Sequence, residues 1–166
     1  MERNIGSCLC ERVKLSCKKL PEKITACYCY DCQKASGGSG SFNLIIQQED
    51  LSIKGGKLSH YRYRAKSGRW IKRFFCSYCG CPILTEIENQ AEVILKVGVF
   101  SGKGNFTIEE SIFTSRKPNW CPMGTSGNFF PLHSAGRKLE IPESSFLSKL
   151  TASNLKFESD IFLLKS

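Results

Sequence analysis

Eight cysteines fall into three tight clusters: Cys8-Leu9-Cys10, Cys27-Tyr28-Cys29-Tyr30-Asp31-Cys32 and Cys76-Ser77-Tyr78-Cys79-Gly80-Cys81. Near neighbours in sequence form disulfides only at strained geometry, whereas thiolates at this spacing converge readily on one tetrahedral ion. The clusters therefore predict zinc, two ions per chain, rather than a disulfide framework. Cys76 and Cys79 have the spacing of a zinc knuckle: a two-residue spacer folds as a turn, and Gly80 supplies a permissive backbone just after it. Cys8 and Cys10, read as alternate residues of an extended strand, would present both sulfurs on one face. The two pairs together complete four thiolates, and they would tie the N-terminal strand to a hairpin some seventy residues later.

Cys27, Cys29 and Cys32 supply three thiolates, the count expected of a zinc site with an exchangeable fourth position. The alternative is closure by Cys81, which would make this a second purely structural centre. Three thiolates on a divalent ion leave a net charge of about −1, which makes the metal a weak acid toward bound water. Such a site suits a thiol better, because a coordinated thiol is deprotonated and becomes a nucleophile at neutral pH. Cys17 and Cys121 stand alone and read as small buried hydrophobes, with Cys121 placed by Trp120 and Pro122 where a pocket edge could lie.

The elements that must carry these groups are mostly strands. Alternation over Val13–Cys17 and β-rich runs at Ile24–Tyr30, Phe42–Gln47, Tyr61–Tyr63, Trp70–Phe75, Val93–Phe100 and Phe106–Phe113 are punctuated by Gly and Ser. One helical turn is expected over Asp31–Ser36. The segment Ser36-Gly37-Gly38-Ser39-Gly40-Ser41 reads as a mobile loop beside the three-cysteine cluster. A second helix is expected over Pro142–Leu150, inside a C-terminal extension of residues 131–166. There Leu155, Phe157, Ile161 and Phe162 suggest packing on the main domain, residues 1–130, or on a partner.

With 166 residues, 41% hydrophobic and 23% charged, the chain has the size and composition of one ordinary globular domain. No apolar run approaches the roughly 18 residues of a membrane span, and the first residues carry no recognisable secretory or transit signal. The expected compartment is the reducing cytoplasm, which also argues against disulfides. The formal charge is +9. Were both metals structural and Cys81 a ligand, eight thiolates and two zinc ions would bring it to about +5. The surplus Lys and Arg would then suit a binding module for nucleic acid or protein partners. Lys66, Arg69, Lys72 and Arg73, interleaved with Tyr61, Tyr63 and Trp70, form the densest basic group.

Several blocks carry a more specific signal: Gly6-Ser7-Cys8-Leu9-Cys10, Cys27 through Gly37, Arg73-Phe74-Phe75-Cys76-Ser77-Tyr78-Cys79-Gly80, and the weaker Lys117-Pro118-Asn119-Trp120. In these the chain resembles the glutathione-dependent formaldehyde-activating enzyme family, which includes the centromere protein V type proteins. The resemblance implies a mostly β, Mss4-like zinc-stapled domain with few short helices. It implies one closed zinc site of Cys8, Cys10, Cys76 and Cys79 and one open site of Cys27, Cys29 and Cys32. It further implies a carbon-sulfur lyase-like activity that joins glutathione, or a related thiol, to formaldehyde or another small electrophile. Cys81 stands where the family usually has Ser or Thr, and Gly98-Val99-Phe100-Ser101 replaces a Gly-Thr-Leu-Asp stretch, losing a carboxylate. Because glutathione carries two carboxylates, Lys34, Arg73, Lys72 and Arg69 are candidates to hold it. Tyr28, Tyr30 and Trp120 could line the pocket, and His60 and His133 lie outside every cluster.

Overall fold

A computed structural model describes residues 4–100, 105–122 and 127–132 of the chain. Strands β1 (Ile5–Ser7), β2 (Val13–Cys17) and β5 (Leu51–Gly55) form a small antiparallel sheet in the order β1-β2-β5. The remaining strands are β3 (Lys23–Cys27), β4 (Ser41–Gln47), β6 (Leu58–Arg64), β7 (Trp70–Cys76), β8 (Pro82–Ile87), β9 (Glu92–Lys96), β10 (Thr107–Ile112) and β11 (Asn128–Phe129). They build one large sheet in the order β11-β10-β3-β4-β9-β8-β7-β6, antiparallel except where β10 runs parallel to β3 and β11. The single α-helix among the described residues, α1 (Tyr30–Ser36), connects β3 to β4. The expected mostly β architecture with few short helices is what forms.

Alternation along each strand decides which face is buried. In β2, Val13, Leu15 and Cys17 are buried while Lys14 is exposed. These residues pack with Leu44 and Ile46 of β4, Leu84 of β8 and Val93 and Leu95 of β9 in one continuous core, joined by Phe100 from the 3-10 turn Val97–Phe100. Each such side chain contributes about 1.5–3 kcal/mol on burial. The small sheet thus covers one face of the large one.

The opposite face of the large sheet is polar near its middle, and the register aligns its residues in rows. Tyr61, Arg73, Thr85, Ile94 and Ile45 face one another across β6, β7, β8, β9 and β4. Lys96, Asn43, Thr25 and Glu110 do the same across β9, β4, β3 and β10, and Cys27 lies opposite Ser41. Because neighbouring positions alternate in direction, chemistry and core are separated onto the two faces of one sheet.

The strand runs read from the sequence recur as β2, β3, β4, β6, β7, β9 and β10. Two of them stop early. The run from Ile24 ends at Cys27 because Cys29 caps α1, and the run from Val93 turns at Val97 into the 3-10 segment. The N-terminal strand read at Cys8–Cys10 lies just before it, as β1, the hairpin read at Cys76–Cys79 is completed by β8, and β5 has no counterpart in the sequence reading. The segment 36–41 is a helix cap and a strand entry: Gly37 takes a left-handed φ of 68° and returns its N–H to Gln33, and Gly40 lies so close to β3 that a Cβ would sit 2.6 Å from the Cys27 carbonyl oxygen. The expected helix over Pro142–Leu150, and all but the first two residues of the extension 131–166, lie outside the described residues. Among the described residues, no helix is long and apolar enough to cross a membrane.

Candidate functional site

Two cysteine groups assemble. In the first, the Sγ atoms of Cys8, Cys10, Cys76 and Cys79 all lie within 4.8 Å of one another. Cys8 and Cys10 are 3.5 Å apart at sulfur, and Cys10 and Cys76 are 3.8 Å apart. A tetrahedron with metal-sulfur bonds of about 2.3 Å has an edge of about 3.8 Å, so this spacing fits a zinc-sized ion. The turn at Cys76–Gly80 forms as its sequence predicts: Gly80 has φ 69° and its N–H bonds to the Cys76 carbonyl at 2.9 Å. The other pair departs from expectation. Strand β1 ends at Ser7, and Cys8 and Cys10 belong to a turn in which Glu11 adopts φ 60°. The turn frees backbone N–H groups that a sheet ladder would consume. Val13 donates to Cys8 Sγ at 3.3 Å, and the Arg12 backbone donates to Cys10. Backbone donors from Cys81 and Cys10 pull the Cys79 thiol down to about 6, favouring the thiolate that a metal requires.

The second group is Cys27, Cys29 and Cys32, again with sulfurs within 4.8 Å of one another. Cys27 comes from the polar face of β3. Cys29 is the N-cap of α1 and accepts the Cys32 N–H at 3.4 Å, so the helix start fixes two of the three ligands. Gln33 clamps the helix in place, donating through its amide to the carbonyls of Tyr28 at 2.7 Å and Arg116 at 2.8 Å. Hydrogen bonds from Cys27 and Cys29 hold the Cys32 thiol down to about 2 against its burial, helped by the charges of Lys96 and Arg73. Cys27 is pushed strongly upward by its hydrogen bonds with the other two and by burial. Three soft donors on a shared face fit a thiophilic ion such as zinc and leave a fourth position for another ligand.

Cys81 does not close this group. It lies instead beside the first one, where it accepts the Leu9 backbone N–H and interacts electrostatically with Cys79, Cys8 and Cys76. The described residues therefore offer four sulfurs to one ion and three to the other, with Cys81 adjacent to the closed centre.

Two cations face the open group. Arg73 places Nη2 3.9 Å from Cys32 Sγ and directs both Nε and Nη2 to the Tyr63 hydroxyl, at 3.1 and 2.9 Å. Its Nη1 has no partner among the described residues. Lys96 donates to Ser41 Oγ at 2.9 Å and to Asn43 Oδ1 at 2.8 Å. Burial and, more weakly, the charge of Arg73 push Lys96 down to about 8, opposed by the charge of Cys32 and, less, of Cys27 and Cys29. The row continues through Asn43, whose amide reaches the Thr25 carbonyl at 3.4 Å, and through the Thr25 hydroxyl, which donates to Glu110 at 3.0 Å. Opposite Arg73, Thr85 carries a buried hydroxyl with no hydrogen-bond partner among the described residues.

Of the residues expected to hold substrate, Arg73 is beside the cysteines. Lys34 is exposed in the last turn of α1, and Trp120 is 70% exposed on the loop after Pro118. Tyr28 is buried, with its hydroxyl bonded to Ser111, whereas Tyr30 is exposed under the Arg116 guanidinium. His60 packs against Phe74, and His133 lies outside the described residues. Sequence reasoning missed Lys96 and Tyr63 as site residues. The signal available for Lys96 was a single lysine in the apolar run Val93-Ile94-Leu95-Lys96-Val97.

The sequence profile of the glutathione-dependent formaldehyde-activating enzyme family matches residues 3–116, ending just before Lys117-Pro118-Asn119-Trp120. Among curated proteins, none matches the chain significantly. Among solved structures, a crystal structure of a Rhodobacter sphaeroides protein is similar at a TM-score of 0.48 and 20% identity, over 59% of this chain and 88% of that one.

Proposed function

The chain belongs to the glutathione-dependent formaldehyde-activating enzyme family, and from that premise we propose that it is a zinc-dependent carbon-sulfur lyase-like enzyme. It would join glutathione or a related small thiol to formaldehyde or another small electrophile, using two zinc ions per chain. The observation that carries this reading is the asymmetry of the two cysteine groups, four sulfurs in one and three in the other. In the reaction, a carbon-sulfur bond forms between the thiol sulfur and the aldehyde carbon. The carbonyl π bond breaks, and the proton lost from sulfur ends on the new hydroxyl.

A zinc ion held by Cys27, Cys29 and Cys32 would supply the position at which an incoming thiol ionises. The chain's own residues do the rest. Arg73, oriented by Tyr63, offers the two N–H groups of Nη1 to a substrate carboxylate while its other edge lies against Cys32. Lys96, bonded to the Ser41 that pairs with Cys27, adds a positive charge on the same sheet face. Gln33 and the Cys29 cap keep the ligand loop from spreading. Lys34 and Trp120, both solvent-exposed, remain candidates for the outer end of a tripeptide. Cys8, Cys10, Cys76 and Cys79 take the structural role.

Glutathione and formaldehyde equilibrate with S-(hydroxymethyl)glutathione without a catalyst, so product formation alone is no test. An enzyme must accelerate exchange without moving the equilibrium. Exchange-sensitive NMR of the three species should show faster exchange with the protein. The acceleration should vanish in Cys29→Ser and after chelation. Unchanged exchange with intact, metal-loaded protein would sink the proposed reaction.

A further inference from the structure

We infer that Lys96 and Arg73 together are the fixed counter-charge of the Cys27, Cys29 and Cys32 centre, and that they make it select an anionic sulfur over a neutral fourth ligand. The inference deepens the thiol-binding reading and rests on it. Both cations are restrained by their own strands and do not sweep through solvent: Lys96 is held by Ser41 and Asn43, and Arg73 by two bonds to the Tyr63 hydroxyl. They come from β9 and β7, on either side of β8: Arg73 Nη2 lies 3.9 Å from Cys32 Sγ, and Lys96 bonds Ser41, the residue that pairs with Cys27 across β3 and β4. No carboxylate hydrogen-bonds directly to either one among the described residues, although Glu110 ends the row that begins at Lys96.

The charges decide what such a frame favours. A divalent ion with three thiolates carries about −1, so a fourth, anionic sulfur would bring the cluster to about −2 in a partly buried site, where like charges repel strongly. Two fixed cations cancel that, so the ion, its sulfurs and the two cations sum to zero when the fourth ligand is a thiolate and to about +1 when it is water or an imidazole. A lysine on a strand between apolar neighbours is costly to bury. Its bonds to Ser41, the strand partner of Cys27, and to Asn43 put it on the same sheet face as the three thiols, which gives that cost a purpose.

The test uses the full chain loaded with Co2+, whose sulfur-to-metal absorption reports a fourth sulfur, titrated separately with glutathione and with imidazole. Lys96→Met should weaken glutathione binding on the order of tenfold relative to imidazole, and Lys96→Arg should restore the preference. Arg73→Gln should shift the ratio in the same direction even when 2-mercaptoethanol, a thiol with no carboxylate for Arg73 to hold, replaces glutathione, which also guards against a Lys96 variant that fails to fold. Metal uptake by the Cys8, Cys10, Cys76 and Cys79 group serves as the folding control. Equal loss of both ligands in Lys96→Met and in Arg73→Gln, or no change in either variant, overturns the counter-charge role and leaves the thiol reading standing. A wild-type protein whose spectrum glutathione does not alter overturns the thiol reading and this inference with it.

Discussion

At the scale of single residues, the cysteines were legible because their chemistry is encoded in spacing, and Lys96 was not because its meaning depends on residues far away. Its partners Ser41 and Asn43 lie more than fifty positions upstream, and only the pairing of β4 with β9 brings them together. Tyr63 was hidden for the same reason, since its hydroxyl serves Arg73 across the β6–β7 hairpin. Arg73 could be suggested from sequence because it lies three residues before Cys76, although what places it near Cys32 is the sheet. Cys17, which stands alone in sequence, is a small buried hydrophobe. Burial, with a smaller contribution from Asp50, pushes its thiol up to about 11 from the usual value near 9. Between those values the unfolded thiol ionises and the folded one does not, so the folded state holds more protons and stability falls as pH rises. The loss is no more than about 3 kcal/mol. In denaturant titrations from pH 8.5 to 11, about the range that shift spans, Cys17→Ala should decline less steeply than the wild type. Parallel curves would show that Cys17 is not the source.

At the scale of elements, period-two alternation made most strands visible, and the exceptions have physical causes. Strand β1 is three residues long, β5 is only partly buried, and β8 places Ile83, Leu84 and Thr85 all in buried positions, which hides any alternation. The Cys8-x-Cys10 pair was legible as a ligand pair but not as a turn, because i and i+2 share a face in a strand and a compact turn can bring the same residues together. The glycine-rich stretch after α1 looked like a loop chosen for mobility. Gly40 instead answers to packing, since a Cβ there would meet the Cys27 carbonyl at 2.6 Å and the Tyr28 ring at 3.0 Å. Gly40→Ala should therefore push β3 from β4 at the point where Cys27 leaves the sheet, costing about 1–3 kcal/mol. The expected outcome is a protein that keeps its first metal and binds the second more weakly, read by zinc competition with a chromophoric chelator. Gly38→Ala, where a Cβ comes within 4 Å of only the Ser36 hydroxyl, is the matched control. Equal behaviour of the two variants would mean that the close approach does not position the site.

For the molecule as a whole, the two cysteine groups differ in what they hold together, and this predicts the order in which the protein comes apart. Cys8 and Cys10 lie in the turn between β1 and β2 of the small sheet, while Cys76 ends β7 and Cys79 lies in the turn from β7 to β8 of the large one. Cys8 and Cys76 are themselves members of the core. A metal bound there closes a loop of nearly seventy residues and fastens one sheet over the other, so its binding energy is folding energy. Cys27, Cys29 and Cys32 stand on the opposite face of the large sheet, outside that core, and fasten only the start of α1. Removing the second metal should leave the sandwich intact, and removing the first should open it. A chelator titration followed by zinc release and by far-ultraviolet circular dichroism is therefore expected in two phases. The first ion should leave with little change in β signal, and the second should leave together with it. Cys29→Ser should show only the second phase, and Cys76→Ser should lack stable structure from the outset. Simultaneous loss of both ions and all β signal in the wild type would mean that the open centre is as structural as the closed one, and the separation of chemistry from core on which the proposed function depends would fall.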